Sequence, residues 1–170
     1  MSSAGAELRL ARRSDVRSIA VMSRDLIENG LGWSYPPHRI DDLLARNDTV
    51  ALVATHDAAI AGFAIMSYGD ERAHLVLLAV RAAHRRHGIG RRLVNWLLET
   101  ALTAGIASVH LELRARNREA YAFYRALRFA ETLRLEGYYR GREAAIQMLR
   151  VLRTEAYQPV AWRPPTLDPR

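Results

Sequence analysis

Apolar residues follow two rhythms along this chain. Between positions 49 and 80 they form short dense runs, TVALVAT (49–55), AIAGFAIMSY (59–68) and HLVLLAV (74–80), separated by HDA and GDER. Runs of that length, bounded by turn residues, predict three strands in an antiparallel meander. SVHLELR (108–114) alternates strictly, with Val109, Leu111 and Leu113 on one face and His110, Glu112 and Arg114 on the other. FAETLRLEGYY and EAAIQMLRVL read as a closing strand pair that turns near RGR, and Leu8 and Leu10 mark a short edge strand near the start.

The second rhythm is helical. Ser14 or Asp15 caps a predicted helix to about Asn29, with Val16, Ile19, Met22, Ser23, Leu26 and Ile27 near one face, and Gly30 and Gly32 end it. WSYPPHR reads as a loop, because Pro36 and Pro37 forbid a regular ladder, and RIDDLLAR as a short helix. GRRLVNWLLETALTAG predicts a long helix with Leu93, Trp96, Leu97 and Ala101 as its apolar stripe and Gly105 as its stop. NREAYAFYRAL predicts another, capped by Asn117. Strand, two helices, three strands, helix, strand, helix and two strands make an α+β chain, a mixed sheet with helices on both faces.

The chain has 170 residues, a length that suits one domain, taken as 1–153. Residues 154–170 hold four of the six prolines and read as an extended Pro-rich tail. Its Trp162 either docks on a neighbouring subunit, as in a homodimer, or trails. Nothing approaches the ~20 apolar residues of a membrane span, and the first ten residues have no apolar signal region. With no cysteine there is no disulfide, no thiolate metal site and no route to a cysteinyl acyl-enzyme. The cytoplasm is the expected compartment. The formal net charge is +7 and lysine is absent, so every fixed side-chain cation is an arginine. Such a balance suits nucleic acid, a membrane surface or an anionic ligand.

Charge concentrates at AHRRHGIGRR (83–92). A Walker loop needs a lysine, and a dinucleotide loop needs a third glycine where this chain has Leu93, so neither applies. What remains is a strand, a basic turn, Gly88-Ile89-Gly90 and a helix start. Free amides at a helix start favour an anion, glycine lets it approach, and Arg85, Arg86, Arg91 and Arg92 add bidentate donors. A turn with a solvated basic face has the same pattern. RRHGIGRR has no neighbouring aromatic to stack on bases, which argues against nucleic acid. His74, His84, His87 and His110 are scattered over a strand, a loop and another strand, so no metal site is expected.

The block LLAV…RRHGIGRRL…LELRARN…AYAFYRALRF resembles the GNAT-type N-acetyltransferases, and within them the branch that acetylates the N-terminal alanine of a ribosomal protein. The resemblance covers roughly residues 50–151. It implies the acyl-CoA N-acyltransferase fold, a mostly antiparallel seven-stranded sheet splayed between the fourth and fifth strands. It implies that acetyl-CoA binds through Arg85, Arg86, His87, Gly88, Ile89, Gly90 and Arg91, with its pantetheine arm on the backbone of Leu78, Ala79 and Val80 and with Asn117 nearby. It makes Glu112 the general base and Tyr124 the acid for the departing thiolate, with an oxyanion stabilised by backbone N–H near Val80. Acetyl then passes directly to an amine without a metal. Pattern alone reads Glu112 as a carboxylate paired with arginine or facing water, and Tyr124 as a core tyrosine with a polar tip. A carboxylate near pKa ~4.3 suits a base only if burial raises it or water relays the proton. Trp33, Tyr35 and Tyr138 are the candidates for an acceptor cleft. A peptide amine, terminal or lysyl, is the expected acceptor; a small amine, or acyl-CoA binding without chemistry, are the alternatives. One departure stands out: the family has Leu-Gly-Phe where this chain has Leu127-Arg128-Phe129.

Overall fold

A computed structural model describes residues 5–153; the proline-rich tail with Trp162 lies outside the described residues. The elements are β1 (Glu7–Leu10), α1 (Val16–Met22), α2 (Pro37–Ala45), β2 (Thr49–His56), β3 (Ala59–Tyr68), β4 (Arg72–Val80), α3 (Ile89–Thr103), β5 (Ser108–Arg114), α4 (Arg118–Ala126), β6 (Ala130–Tyr139) and β7 (Glu143–Val151). The strands form one seven-stranded sheet in the order β1-β2-β3-β4-β5-β7-β6. Every pairing is antiparallel except β4 with β5. Those two run parallel and match only at Arg72, Ala73 and His74 against Ser108, Val109 and His110. Among the described residues β4 has no partner on that side from Leu75 onward, and the sheet opens. Among the described residues no helix is long and apolar enough to cross a membrane.

Each sheet face carries its own core. One packs Leu52, Ala64, Met66, Leu111 and Phe129 with Leu93, Leu97 and Ala101 of α3 and Tyr124 of α4. The other packs Val53, Phe63, Ile65, Leu77 and Ala79 with Ile19, Met22 and Ile40 of α1 and α2. Strand β4 contributes to both because of a bulge. Ile65 pairs with Leu77 and Met66 with Leu75, which leaves Val76 extra. Side chains alternate across a strand, and one extra residue inverts that alternation. Ala73 and Leu75 therefore enter the first core, while Leu77 and Ala79 enter the second.

The helices depart from the sequence reading in three places, each with a local cause. The first helix does not run regularly to Asn29. It widens to a π turn over Ser23–Ile27, and the Glu28 amide reaches the Ser23 carbonyl at 2.9 Å. The buried Glu28 carboxylate accepts from Ser23 Oγ at 3.0 Å and from the Ser34 amide, folding the following loop back over the helix end. Pro37 is not in a loop but opens α2, where its missing N–H costs nothing. Trp96 is 39% exposed and is no part of the α3 stripe, which consists of Ile89, Leu93, Val94, Leu97, Leu98 and Ala101.

Arg128 sits at φ 66° just past α4, in the left-handed region the family reserves for glycine. Replacement of Arg128 by Gly is expected to stabilise the fold by about 1 kcal/mol, seen as a rise in Tm of about 2–4 °C. A fall in Tm would show that the arginine side chain outweighs the strain.

Candidate active site

The opening between β4 and β5 leads into a cavity on each side. One, of about 590 Å³, is bounded by Leu78, Ala79 and Val80 of β4, by Arg85, Arg86, Gly88, Ile89, Gly90 and Arg91, and by Asn117, Glu119, Ala120, Phe123 and Tyr124. Ten of the eleven residues the sequence assigned to the cofactor line this groove; His87, exposed in the loop, does not. The loop builds its concavity from backbone. Arg86 (φ 62°) and Gly88 (φ 76°) are both left-handed, a geometry that turns successive amides to one side. The first-turn amides of α3, at Ile89, Gly90 and Arg91, have no acceptor within the helix. Gly90 is required for a different reason: a Cβ there would stand 3.3 Å from the Phe123 ring. Sequence reasoning missed Leu26, His84, Glu119, Ala120 and Phe123 here: His84 was read with the scattered histidines, and the other four reach the groove from outside the glycine motif.

The second cavity, about 660 Å³, is lined by Leu26, Ile27, Glu28, Leu31, Ser34 and Tyr35, by His74 to Leu78, by Glu112, Leu113, Arg114, Arg116 and Asn117, and by Ala120, Tyr124, Tyr138, Tyr139 and Arg140. Tyr35 and Tyr138 are therefore on its wall. Trp33 is not: its indole N–H donates to the Ala20 carbonyl at 3.2 Å, and Arg24 lies over its ring. The two walls touch where the Arg140 guanidinium packs onto Gly32. Arg114 ties them more firmly. It donates to Glu143 of β7 at 2.7 Å and to the Asn29 carbonyl at 2.6 Å.

Leu26, Leu78, Asn117, Ala120 and Tyr124 border both cavities, so the two meet at these residues. Asn117 is fixed there by its capping role, Oδ1 accepting from the Ala120 amide at 3.0 Å. The Tyr124 ring is held edge-on by Phe123 and Phe129. Burial pushes its phenol well above the ordinary tyrosine range, so it stays protonated at any working pH.

Glu112 projects from β5 into the second cavity, and its partner is not an arginine. His74 Nε2 lies 2.6 Å from Oε2, and Gln147 Nε2 approaches Oε1 at 3.5 Å. Hydrogen bonding from His74 holds the carboxyl below its ordinary range, against the opposing effect of burial. Burial alone would raise it, but the imidazole wins. Because the carboxyl is ionised, the shared proton belongs to His74 Nε2. The histidines also correct the expectation of scatter. The rings of His74 and His110 stack with centroids 4.5 Å apart and planes 2° apart. No sequence spacing signals this contact, which depends on the parallel register of β4 and β5.

A sheet that parts between two parallel strands, with helix-start amides on one side and a carboxylate cleft on the other, has the architecture of the acyl-CoA N-acyltransferases. The sequence profile of the acetyltransferase (GNAT) family matches residues 20–129, and the chain belongs to that family. A curated relative, the [ribosomal protein bS18]-alanine N-acetyltransferase of Escherichia coli K12, is 37% identical over 97 residues. That stretch is 55% of this chain and 66% of the relative, so the chain spans just under two thirds of the length of this bS18 enzyme. An N-alpha-acetyltransferase of Saccharolobus solfataricus is 29% identical over 159 residues, 85% of this chain and 92% of the relative. The solved structure of Ard1 from Thermoplasma volcanium superposes with a TM-score of 0.78 at 27% identity, covering 88% of this chain and 99% of that one.

Proposed function

We propose that the protein moves the acetyl group of acetyl-CoA directly onto the α-amine of a protein or peptide. The observation that carries this reading is the junction of the two cavities at Leu78, Asn117 and Tyr124, with Glu112 on the far side. A thioester threaded from the glycine loop along the free edge of β4 would reach that junction, and an amine entering past Tyr35 and Tyr138 would meet it from the opposite direction. Relatives named as N-acetyltransferases of terminal amines support the acceptor class.

In this scheme the pyrophosphate rests on the α3 amides with Arg85, Arg86 and Arg91, and the pantetheine arm pairs with β4 as an added strand. Glu112 Oε1, whose only partner among the described residues is the distant Gln147 amide, takes the amine proton, directly or through a water. The amine attacks the thioester carbonyl, and backbone N–H near Val80 stabilises the oxyanion. The C–S bond breaks, and Tyr124 donates to the departing thiolate. A carboxyl held low by His74 is a weak base, and this sets the acceptor. An α-amine titrates about 2.5 units below a lysine, a saving of roughly 3 kcal/mol in forming the neutral nucleophile.

The test is a set of peptide amines incubated with acetyl-CoA and read by mass spectrometry. Peptides with a free N-terminus are expected to exceed N-terminally blocked lysine peptides at least tenfold in kcat/KM. Equal rates would overturn the terminal-amine assignment, and no product with any amine would overturn the enzyme. Calorimetry tests the donor groove separately. Gly90→Val, which presses a branched side chain against Phe123, should weaken acetyl-CoA binding about tenfold by the cost of overpacking. Unchanged affinity would remove the glycine loop from the groove.

A further inference from the structure

His74, His110 and Glu112 converge on the sheet face turned toward α1 and α2, where the β4–β5 ladder ends. His74 and His110 are the last matched pair of that ladder, and Glu112 follows on the same face of β5. One donor atom from each of the three lies within 4.8 Å of the others, and all three side chains are partly buried. We propose that they form a binding site for a single divalent transition-metal cation, Zn²⁺ above all, which enters in place of the proton shared by His74 and Glu112.

The donor set selects the ion. Two imidazoles and one carboxylate suit Zn²⁺ and its neighbours, whereas Mg²⁺ and Ca²⁺ require oxygen donors. Bonds of about 2.0–2.2 Å place tetrahedral donors roughly 3.3 Å apart. The His74–Glu112 contact of 2.6 Å must therefore open slightly, and the two rings must tilt toward a common point. There is room for this, because His74 and Glu112 stand on the wall of the 660 Å³ cavity, which also supplies water for the fourth position. Binding one cation releases the shared proton to solvent and draws charge from the whole Glu112 carboxylate, which leaves Oε1 a much weaker base toward an amine proton. A bound cation therefore shuts off acetyl transfer while leaving the donor groove intact. That last consequence rests on the proposed function; the binding itself does not.

The experiment is calorimetric titration of the metal-free full chain with ZnCl₂ in a non-chelating buffer, with Co²⁺ absorption as a second readout. One Zn²⁺ per chain is expected, with Co²⁺ giving the intense visible bands of a tetrahedral site. His74→Ala and His110→Ala should each weaken Zn²⁺ at least tenfold with the far-UV spectrum unchanged. His84→Ala, which removes one ring of the other close pair, His56 and His84 at 5.1 Å between centroids, should leave Zn²⁺ affinity as it was. An absence of wild-type binding, indifference to both β4–β5 variants, or a loss on His84→Ala would each overturn the site. Binding that obeys these rules in a protein without acetyl transfer would uphold the site and refute only the enzymatic reading.

Discussion

Glu112→Gln is expected to lower kcat/KM for a terminal-amine peptide by about 10²–10³-fold, while the acetyl-CoA Kd stays within twofold. The substitution keeps the shape and leaves an oxygen to accept from His74 Nε2, so the pocket has no reason to rearrange. It removes only the capacity to take a proton. The residual activity should then climb with pH until the amine itself is deprotonated, near pH ~8 for a terminus, where the gap from wild type narrows. A uniform loss across pH would instead indicate mispositioning of the acceptor. The variant also reports on stability. The carboxyl titrates below its ordinary value of 4.5 in the folded state. Its ionised form therefore contributes stability fully above about pH 4.5, and that contribution is lost as pH falls through the lower folded value. Wild type and Glu112→Gln should differ in Tm at pH 7 and converge in strong acid.

Tyr124→Phe should slow kcat by about 10²-fold and spare the Tm to within a degree or two. General acids contribute between about 10² and 10⁴, and two features put this one at the low end. A thiol near pKa ~8.5 already leaves well, and full transfer from even an unperturbed phenol at ~10 is uphill by roughly 2 kcal/mol. Burial raises the phenol further, so in the proposed mechanism Tyr124 would act mainly by hydrogen bonding to the developing thiolate. Phenylalanine fills the same space between Phe123 and Phe129. Full retention of kcat would remove Tyr124 from the mechanism. A substrate with a more acidic thiol leaving group should shrink the difference between the two proteins.

The sequence made the glycine loop and the strand face carrying Glu112 legible for physical reasons that operate locally. An anion cradle needs glycine and arginine side by side, and a half-buried strand must alternate. Both leave marks within a few consecutive residues. The partner of Glu112 left no such mark. His74 reaches it through strand pairing across 38 residues of chain, and a pattern of period two says which face a residue takes but not what stands beside it. Trp33 had the composition of a cleft wall, yet its indole found a carbonyl at Ala20 once the π turn folded the loop backward. Arg128 was the opposite case. A missing glycine marked the position in the sequence, and the backbone is left-handed there.

The extra residue at Val76 has a consequence for how this protein can vary. Closing the bulge by a one-residue deletion would reverse the facing of one half of β4. Either His74 would turn away from Glu112, or Leu77 and Ala79 would leave the core under α1 and α2. The interval from Ala73 to Val80 is in that sense a ruler whose length natural drift cannot alter. Chains descended from the same ancestor should keep this spacing even where every side chain along it has been exchanged.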